Sequence, residues 1–330
     1  MTTASAHTAV LVAPPTGHRL VADIGGTNAR FAFSDPDSGA LHHIRNLECA
    51  GRGNLTELVQ DYLRQVGFTA PSRMCVALAG PINGDLCGLT NTPLRFSITR
   101  TRAELGLEHL DVINDFAAIA LAVPTLTASD TAPLGTVPPR DGLTKAVLGP
   151  GTGLGMAGLL PTATGWQVVT GEGGHIPAAP FDDYDSEVIG VLRRAHGSVS
   201  AETMVSGPGL VRTHAAVCLL SGHPAEPLTA AQISDRGQRG TDPDCVTTLT
   251  LFCQQLATVA ATAALTYGAL GGVYLAGGIP GRIADFLHSS SFRQRFEHHP
   301  QMGGYLSQIA TVRITVDNPG LRGAGRHLDR

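Results

Sequence analysis

From residue 19 onward, short runs of crowded or alternating apolar residues are interleaved with longer runs in which apolar residues recur every three or four positions. This alternation of strand-like and helix-like periods predicts an α/β protein. Residues 20–23 and 30–34 read as strands on either side of Gly25, Gly26, Thr27 and Asn28, so a glycine-turn β-hairpin is expected there, not a strand-to-helix phosphate loop. Asn54, with Glu57 three residues on, looks like a capping box. Leu55, Leu58, Val59, Tyr62, Leu63 and Val66 follow at helical spacing up to Gly67, which predicts an amphipathic helix packed on the sheet. A strand over 74–79, a hairpin around Asn83-Gly84, a helix near 102–107 and a strand over 110–113 come next. The helix after Asp115 stops at Pro124.

The pattern then restarts. Residues 145–148 are strand-like, 149–153 form a turn, and 156–160 and 167–170 continue a sheet, so a second hairpin echoes the first. Helices are expected near 186–195, 204–220 and 246–267, before a strand over 273–276 that ends in Gly277-Gly278. Two β-glycine-β elements in two sheets predict a duplicated architecture with a nucleotide held between the halves. The Pro-, Thr- and Ala-rich stretch 124–139 is the expected hinge. The reading is therefore a small lobe over 19–124, a large lobe over 125–315, and a last strand over 312–316 leading back, so that about 316–330 complete the small lobe. Residues 1–18 lack basic residues before a short apolar run that Pro14, Pro15 and Gly17 interrupt. They are read as a loose tail, neither signal peptide nor membrane span.

Composition adds three constraints. At 330 residues the chain exceeds the usual single core, which favours two lobes, and its 43% apolar and 15% charged residues suit an ordinary soluble globular protein. A net charge of −4 and the lack of any Lys/Arg-rich run exclude an electrostatic case for nucleic acid and favour small-molecule partners. Six cysteines without a C-x-x-C pair, several inside apolar stretches, read as reduced thiols in a reducing compartment.

The chemistry gathers at strand ends. Asp23, next to side-chain-poor backbone from Ile24 to Asn28, could hold Mg²⁺ through water while phosphate oxygens approach the amides. A lone Asp-x-Gly-Gly is otherwise a plain hairpin turn. Gly149-Pro150-Gly151-Thr152-Gly153 offers the same kind of nest plus a hydroxyl. Neither loop opens onto a helix, which excludes a dinucleotide fingerprint, and no Gly-Lys-Ser/Thr is present. Asn114-Asp115 puts an amide and a carboxylate at a strand end; Asp115 can accept a hydroxyl proton or merely cap the helix that follows. Glu172, His175 and Glu202 suit recognition of vicinal hydroxyls. No His or Cys stands at ligand spacing to make His175 a metal ligand. Ala276-Gly277-Gly278 suits close approach of a base or ribose, or simple helix-on-strand packing.

The ordered set I-G-G-T-N-A-R, I-N-D-F, L-G-P-G-T-G-L-G, E-G-G-H, S-G-P-G-L and L-A-G-G-I-P, over about residues 20 to 325, closely resembles the bacterial glucokinase family. The resemblance implies a two-lobed, actin-like (ribonuclease H-like) α/β fold with mixed sheets flanked by helices and the active site in the interlobe cleft. It implies phosphorylation of D-glucose at the 6-hydroxyl by MgATP, in the cytoplasm, by a homodimer. ATP phosphates would be held by Ala22, Asp23, Ile24, Gly25, Gly26, Thr27 and Asn28 and by Gly151, Thr152 and Gly153, with Ala276, Gly277 and Gly278 adjoining adenosine. Sugar would be held by Asn114, Asp115, Glu172, His175 and Glu202, with Asp115 as catalytic base and Asp23 on the Mg²⁺ side. The chain departs from the family at Ala22, where Gly is usual, and after Thr90-Asn91, where Thr92-Pro93-Leu94 replaces a common His and Trp. The alternatives are another hexose or amino-sugar kinase, or a non-catalytic sugar sensor.

Overall fold

The computed structural model describes residues 11–49, 51–80, 82–89 and 92–330, so Thr90 and Asn91 lie outside the described residues. The chain divides into two compact units, Met1–Thr125 with Asp317–Arg330, and Leu126–Val316.

In the first unit β1 (Arg19–Ile24), β2 (Asn28–Ser34) and β3 (Leu41–Glu48) form an antiparallel meander. After α1 (Leu55–Val66), β4 (Arg73–Leu78) joins parallel to β1. A small hairpin of β5 (Leu86–Gly88) and β6 (Arg95–Ser97), then α2 (Ile98–Leu105), precede β7 (His109–Asn114), which completes the order β3-β2-β1-β4-β7. β1 and β4 read as near-continuous apolar runs because both faces of the sheet are covered. One face packs on α1 through Leu55, Leu58 and Tyr62. The other buries Val21, Ala32 and Cys75 against Leu321 and Ala324 of the chain's last helix. α1 begins as its sequence predicts: the Asn54 side chain accepts the Glu57 N–H at 2.9 Å. It ends on Gly67 in the left-handed region, φ 77°. α3 (Asp115–Ala122) follows β7, and the last helix lies on it backbone to backbone, since a Cβ at Gly323 would fall 1.6 Å from the Ala118 carbonyl oxygen.

The second unit repeats the scheme. β8 (Thr131–Pro133) is an edge strand. β9 (Lys145–Pro150), β10 (Leu154–Thr162) and β11 (Gly165–Gly171) form the meander, and β12 (Gly272–Leu275) and β13 (Thr311–Ile314) add in parallel, giving β11-β10-β9-β12-β13-β8. Its helices are α4 (Asp183–His196), α5 (Ala201–Met204), α6 (Gly207–Ser221), α7 (Ala230–Arg239), α8 (Pro243–Tyr267), α9 (Gly278–Arg282), α10 (Ala284–Ser289), α11 (Phe292–Glu297) and α12 (Gly303–Leu306); the last helix, α13, spans Pro319–His327. α8 is the one described helix long and apolar enough to cross a membrane, but it is a core helix, burying Leu249, Phe252, Leu256 and Ala260 under the second sheet.

The fold is the two-lobed α/β class that the sequence implies, with departures in detail. The expected hairpin at Asn83-Gly84 is a turn just before β5; the paired strands are β5 and β6, joined farther on. The last strand stays in the second sheet, paired with β12 and β8, and it is α13 that belongs to the first unit. The Pro/Thr/Ala-rich stretch supplies β8, whose Thr131–Pro133 edge accommodates a proline. Of the tail, residues 11–18 are described, and Val12 exchanges backbone hydrogen bonds of 3.0 and 2.8 Å with Gly67 and Thr69.

Candidate active site

The β1–β2 turn is closed by the Gly25 N–H donating to the Asn28 carbonyl at 2.9 Å. Gly26 and Thr27 are exposed at its tip, and their amides have no hydrogen-bond partner among the described residues. Ala22 and Ile24 are fully buried in the first-unit core, so they can offer a ligand backbone only. Asp23, between them, points to the other face, where Gly320 at the start of α13 makes room: a Cβ there would lie 2.8 Å from the Asp23 Oδ2. Arg30 stands across the ladder with its guanidinium 3.9 Å from the carboxylate. Burial pushes the Asp23 carboxyl above its ordinary range, and the pull of Arg30 only partly offsets this. A partly buried carboxylate with Arg30 no nearer than 3.9 Å has the oxygen donors that a cation such as Mg²⁺ takes.

That burial has a consequence for stability. A carboxyl with a raised folded-state pKa contributes stability that is present below its unfolded value of 3.8 and is lost as pH rises through the folded value. Asp23→Asn is therefore expected to melt higher than the parent at pH 7, with the difference shrinking as pH falls towards 3.8. Melting scans across that range check it. An unchanged or lower melting temperature at pH 7 would contradict the burial argument.

At the end of β7 the sequence left the capping role open, and Asn114 takes it. Its Oδ1 accepts the N–H groups of Phe116 and Ala117 at 2.9 and 3.1 Å, and its Nδ2 donates to the Gly80 carbonyl at 3.2 Å. Asp115 is the first residue of α3, half-buried, with Oδ1 2.9 Å from the Phe116 N–H. Its charge sits at the positive end of the helix dipole.

In the second unit the β9–β10 turn is also closed on itself: Gly151 N–H donates to the Gly153 carbonyl, and Gly207 N–H to that of Gly151, both at 2.8 Å. The Thr152 and Gly153 amides have no partner among the described residues. The Leu154 N–H donates to Glu202 Oε2 at 2.8 Å, which orients that carboxylate from α5. Glu172 and His175 are exposed at the two ends of a tight turn in which Gly174 sits on the Leu154 carbonyl, where a Cβ would lie 2.0 Å away. That turn is tied to α5 by the Ala201 N–H donating to Ile176 O at 2.8 Å. Glu202 is thus tied to Leu154, the residue on which the turn carrying Glu172 and His175 packs through Gly174.

Beside the β9–β10 turn is a cavity of about 630 Å³ walled by α6, α7 and α9. Gly151, Thr152 and Gly278 line it as the sequence suggested; Pro208, Val211, Asp235, Gln238 and Arg282 do so unforeseen. The S-G-P-G-L motif was the available signal: Ser206 caps α6 by accepting the Gly209 N–H at 3.0 Å, which presents Gly207-Pro208 to the cavity. Ala276 and Gly277 are not in the lining. Ala276 is buried, and Gly277, at φ 87°, packs 2.5 Å (as a Cβ would) from the Pro150 carbonyl, holding β12 against β9. Of the three, Gly278 is the one that lines the cavity.

The glucokinase family model matches residues 20–330. The chain is 42% identical over 318 residues to the glucokinase of Chromobacterium violaceum, covering 96% of this chain and 90% of that protein. It is 41% identical over 309 residues to that of Nitrobacter hamburgensis, covering 93% and 96%. Among solved structures, the glucokinase from an Antarctic psychrotroph superposes with a TM-score of 0.85 at 38% identity, over 94% of this chain and 98% of that one.

Proposed function

Since the chain belongs to the glucokinase family, we propose that it transfers the γ-phosphoryl group of ATP to the 6-hydroxyl of D-glucose, with Asp115 taking the hydroxyl proton. The observation that carries the reading is the division of labour at the head of α3: Asn114 carries the Phe116 and Ala117 amides, so the cap persists without the Asp115 carboxylate, which shares the Phe116 amide. As the sugar oxygen attacks the γ-phosphorus, its proton passes to Asp115, a contribution of about 10²–10⁴ in rate, and the β–γ bridging oxygen leaves with ADP. Phosphoryl transfer needs alignment and charge neutralisation more than covalent help. The Gly26 and Thr27 amides in one unit, and those of Thr152 and Gly153 in the other, are donors of the right kind for phosphate oxygens. The 630 Å³ cavity has the size for an adenosine. Mg²⁺, held on the Asp23 side, supplies charge neutralisation on the phosphates when bound.

Glu172, His175, Glu202 and the remaining Asn114 donor bind the sugar hydroxyls. Glu202 is held in one rotamer by Leu154, so epimers that misplace a hydroxyl leave a buried polar group unpaired, at about 1–3 kcal/mol each. The enzyme works in the cytoplasm, consistent with six buried free cysteines, and as a homodimer. A coupled assay over a sugar panel with ATP, ADP or polyphosphate tests the whole reading. Glucose with ATP is expected to exceed mannose and galactose in kcat/KM by about 10-fold or more. Equal values for the epimers would remove the specificity claim, preference for another hexose or amino sugar would reassign the substrate, and no turnover with any sugar would leave a sensor.

A further inference from the structure

We propose that His214, Cys218, Asp242 and Cys245 form a zinc site that pins α6 to the head of α8. His214 and Cys218 stand four residues apart on one face of α6, with Nε2 3.5 Å from Sγ. Asp242 caps α8 and Cys245 lies in its first turn. One ligand atom each from His214, Asp242 and Cys245 lie within 4.8 Å of one another. The side chains are inside the unit: His214 is 4% exposed, Cys218 3% and Cys245 0%.

With Zn–S bonds of about 2.3 Å and Zn–N and Zn–O bonds of about 2.0–2.1 Å, tetrahedral ligand atoms sit about 3.3–3.8 Å apart. His214, Asp242 and Cys245 close on an ion by about 1–1.5 Å of side-chain rotation, and Cys218, whose Sγ is 3.5 Å from the imidazole but outside the 4.8 Å group, swings in farther as the fourth ligand. Two sulfurs and an imidazole select zinc over magnesium or calcium, and a set of four protein ligands makes a closed, structural site. Asp242 is already oriented as a ligand carboxylate must be: its Oδ1 accepts the Asp244 and Cys245 N–H groups at 3.0 and 3.1 Å, and its Oδ2 is 3.5 Å from Arg236 Nη1. Asp244, bound to Ser221 and His223 at 2.9 Å each, forms the rim. Without metal both sulfurs are thiols, and on binding the ion displaces one proton from each, leaving a neutral-imidazole, dithiolate, carboxylate complex. The α8 cap accounts for the carboxylate, but neither that cap nor packing calls for two thiols and an imidazole to meet it.

The position gives the site a role. The first turn of α6 and the length of α7 wall the 630 Å³ cavity, and α7 ends at Arg239, just before Asp242. An ion joining the second half of α6 to the segment that follows α7 would brace both walls.

The full chain, stripped with a chelator under reducing conditions, can be titrated with Zn²⁺ and with Co²⁺. One tightly held zinc per chain is expected, with a higher melting temperature on addition, and cobalt should give the near-ultraviolet thiolate charge-transfer band together with the strong visible bands of a tetrahedral site. Cys218→Ser and Cys245→Ser should each weaken zinc binding by about 100-fold or more. His18→Ala with His42→Ala should change nothing: His18, Asp35 and His42 form a second, more exposed group able to bind metal through imidazoles, without sulfur. Should Cys245→Ser fail to fold, mass spectrometry of thiol alkylation on the parent replaces it, with zinc expected to protect Cys218 and Cys245 and not the other four cysteines. Absence of a thiolate band, zinc uptake abolished by the His18/His42 change, or a Cys218–Cys245 disulfide in the reduced preparation would each overturn the proposal.

Discussion

Asp115→Asn is expected to leave the protein folded, with a melting temperature within a degree or two of the parent, while kcat falls by about 10² or more. The cap of α3 is Asn114, whose side chain carries the Phe116 and Ala117 amides and reaches the Gly80 carbonyl, and none of these bonds changes. What the substitution removes from stability is a negative charge at the first helical position, a term of about 0.3–2 kcal/mol for a half-buried group, while the amide oxygen can still accept the Phe116 N–H. From catalysis it removes the carboxylate proposed to take the hydroxyl proton, which an amide cannot do. Asn114→Ala is the control: losing the cap costs about 0.5–2 kcal/mol, so it should melt lower. Denaturation and steady-state rates on both variants separate the roles. An Asp115→Asn enzyme with parental kcat would end its candidacy as base.

Gly151→Val is expected to fold normally and to lose most of its affinity for ATP. The backbone at Gly151 is not in the left-handed region, and a Cβ there meets nothing within 4 Å, so the free protein accommodates the new side chain at a cost of about 0.5 kcal/mol. That open space borders the cavity and the Thr152 and Gly153 amides. A branched side chain in it keeps phosphate oxygens off those donors, and losing one or two charge-assisted bonds of about 1.5–3 kcal/mol each raises Kd for ATP by about 10²-fold or more. Gly26→Val, with its nearest neighbour 4.0 Å away at Thr92, should behave alike. The same change at Gly153 would be a poor test, because a Cβ there lies 2.5 Å from Glu202 Oε2 and displaces that carboxylate as well. Calorimetric titration with ATP checks the prediction, and near-parental affinity in a folded variant would dismiss the turn as a phosphate nest.

Much of this was legible in the sequence because it is local. The Asn54 cap with Gly67 as stop, the two glycine hairpins, and the long apolar run of α8 each declare themselves within a window of a few to two dozen residues. What was missed depends on partners far along the chain. α7 buries only Ile233, Ser234 and Gly237, and its glycine looks like a breaker, although Thr229 and Gln232 spell out a capping box. β8 is three residues ending in proline, defined by its pairing with β13. α13, with Gly320, Gly323 and Gly325, has a composition that argues against a helix; the glycines are there because Asp23, the Ala118 carbonyl and Ser34 press on that face. The site follows the same rule. Residue types were readable, whereas which glycine faces a cavity and which packs against a neighbouring strand, as Gly278 and Gly277 do, is decided by neighbours.

The placement of α13 also sets an order of events during synthesis. The first unit takes its opening residues through Thr125 and then waits for Asp317–Arg330, while all of Leu126–Val316 is made in between. A growing chain emerging N-terminus first therefore presents the β1–β2–β4 sheet with Val21, Ala32 and Cys75 uncovered, because Leu321, Ala324 and Leu328 do not yet exist. The second unit has no such debt and can fold as a contiguous stretch. For the interval that a ribosome needs to read about two hundred codons, at some 5–20 residues per second, the half carrying Asp23 and Asp115 remains an open sandwich. The nascent protein is accordingly most vulnerable to aggregation, and most in need of a chaperone, on the face that its last helix will close.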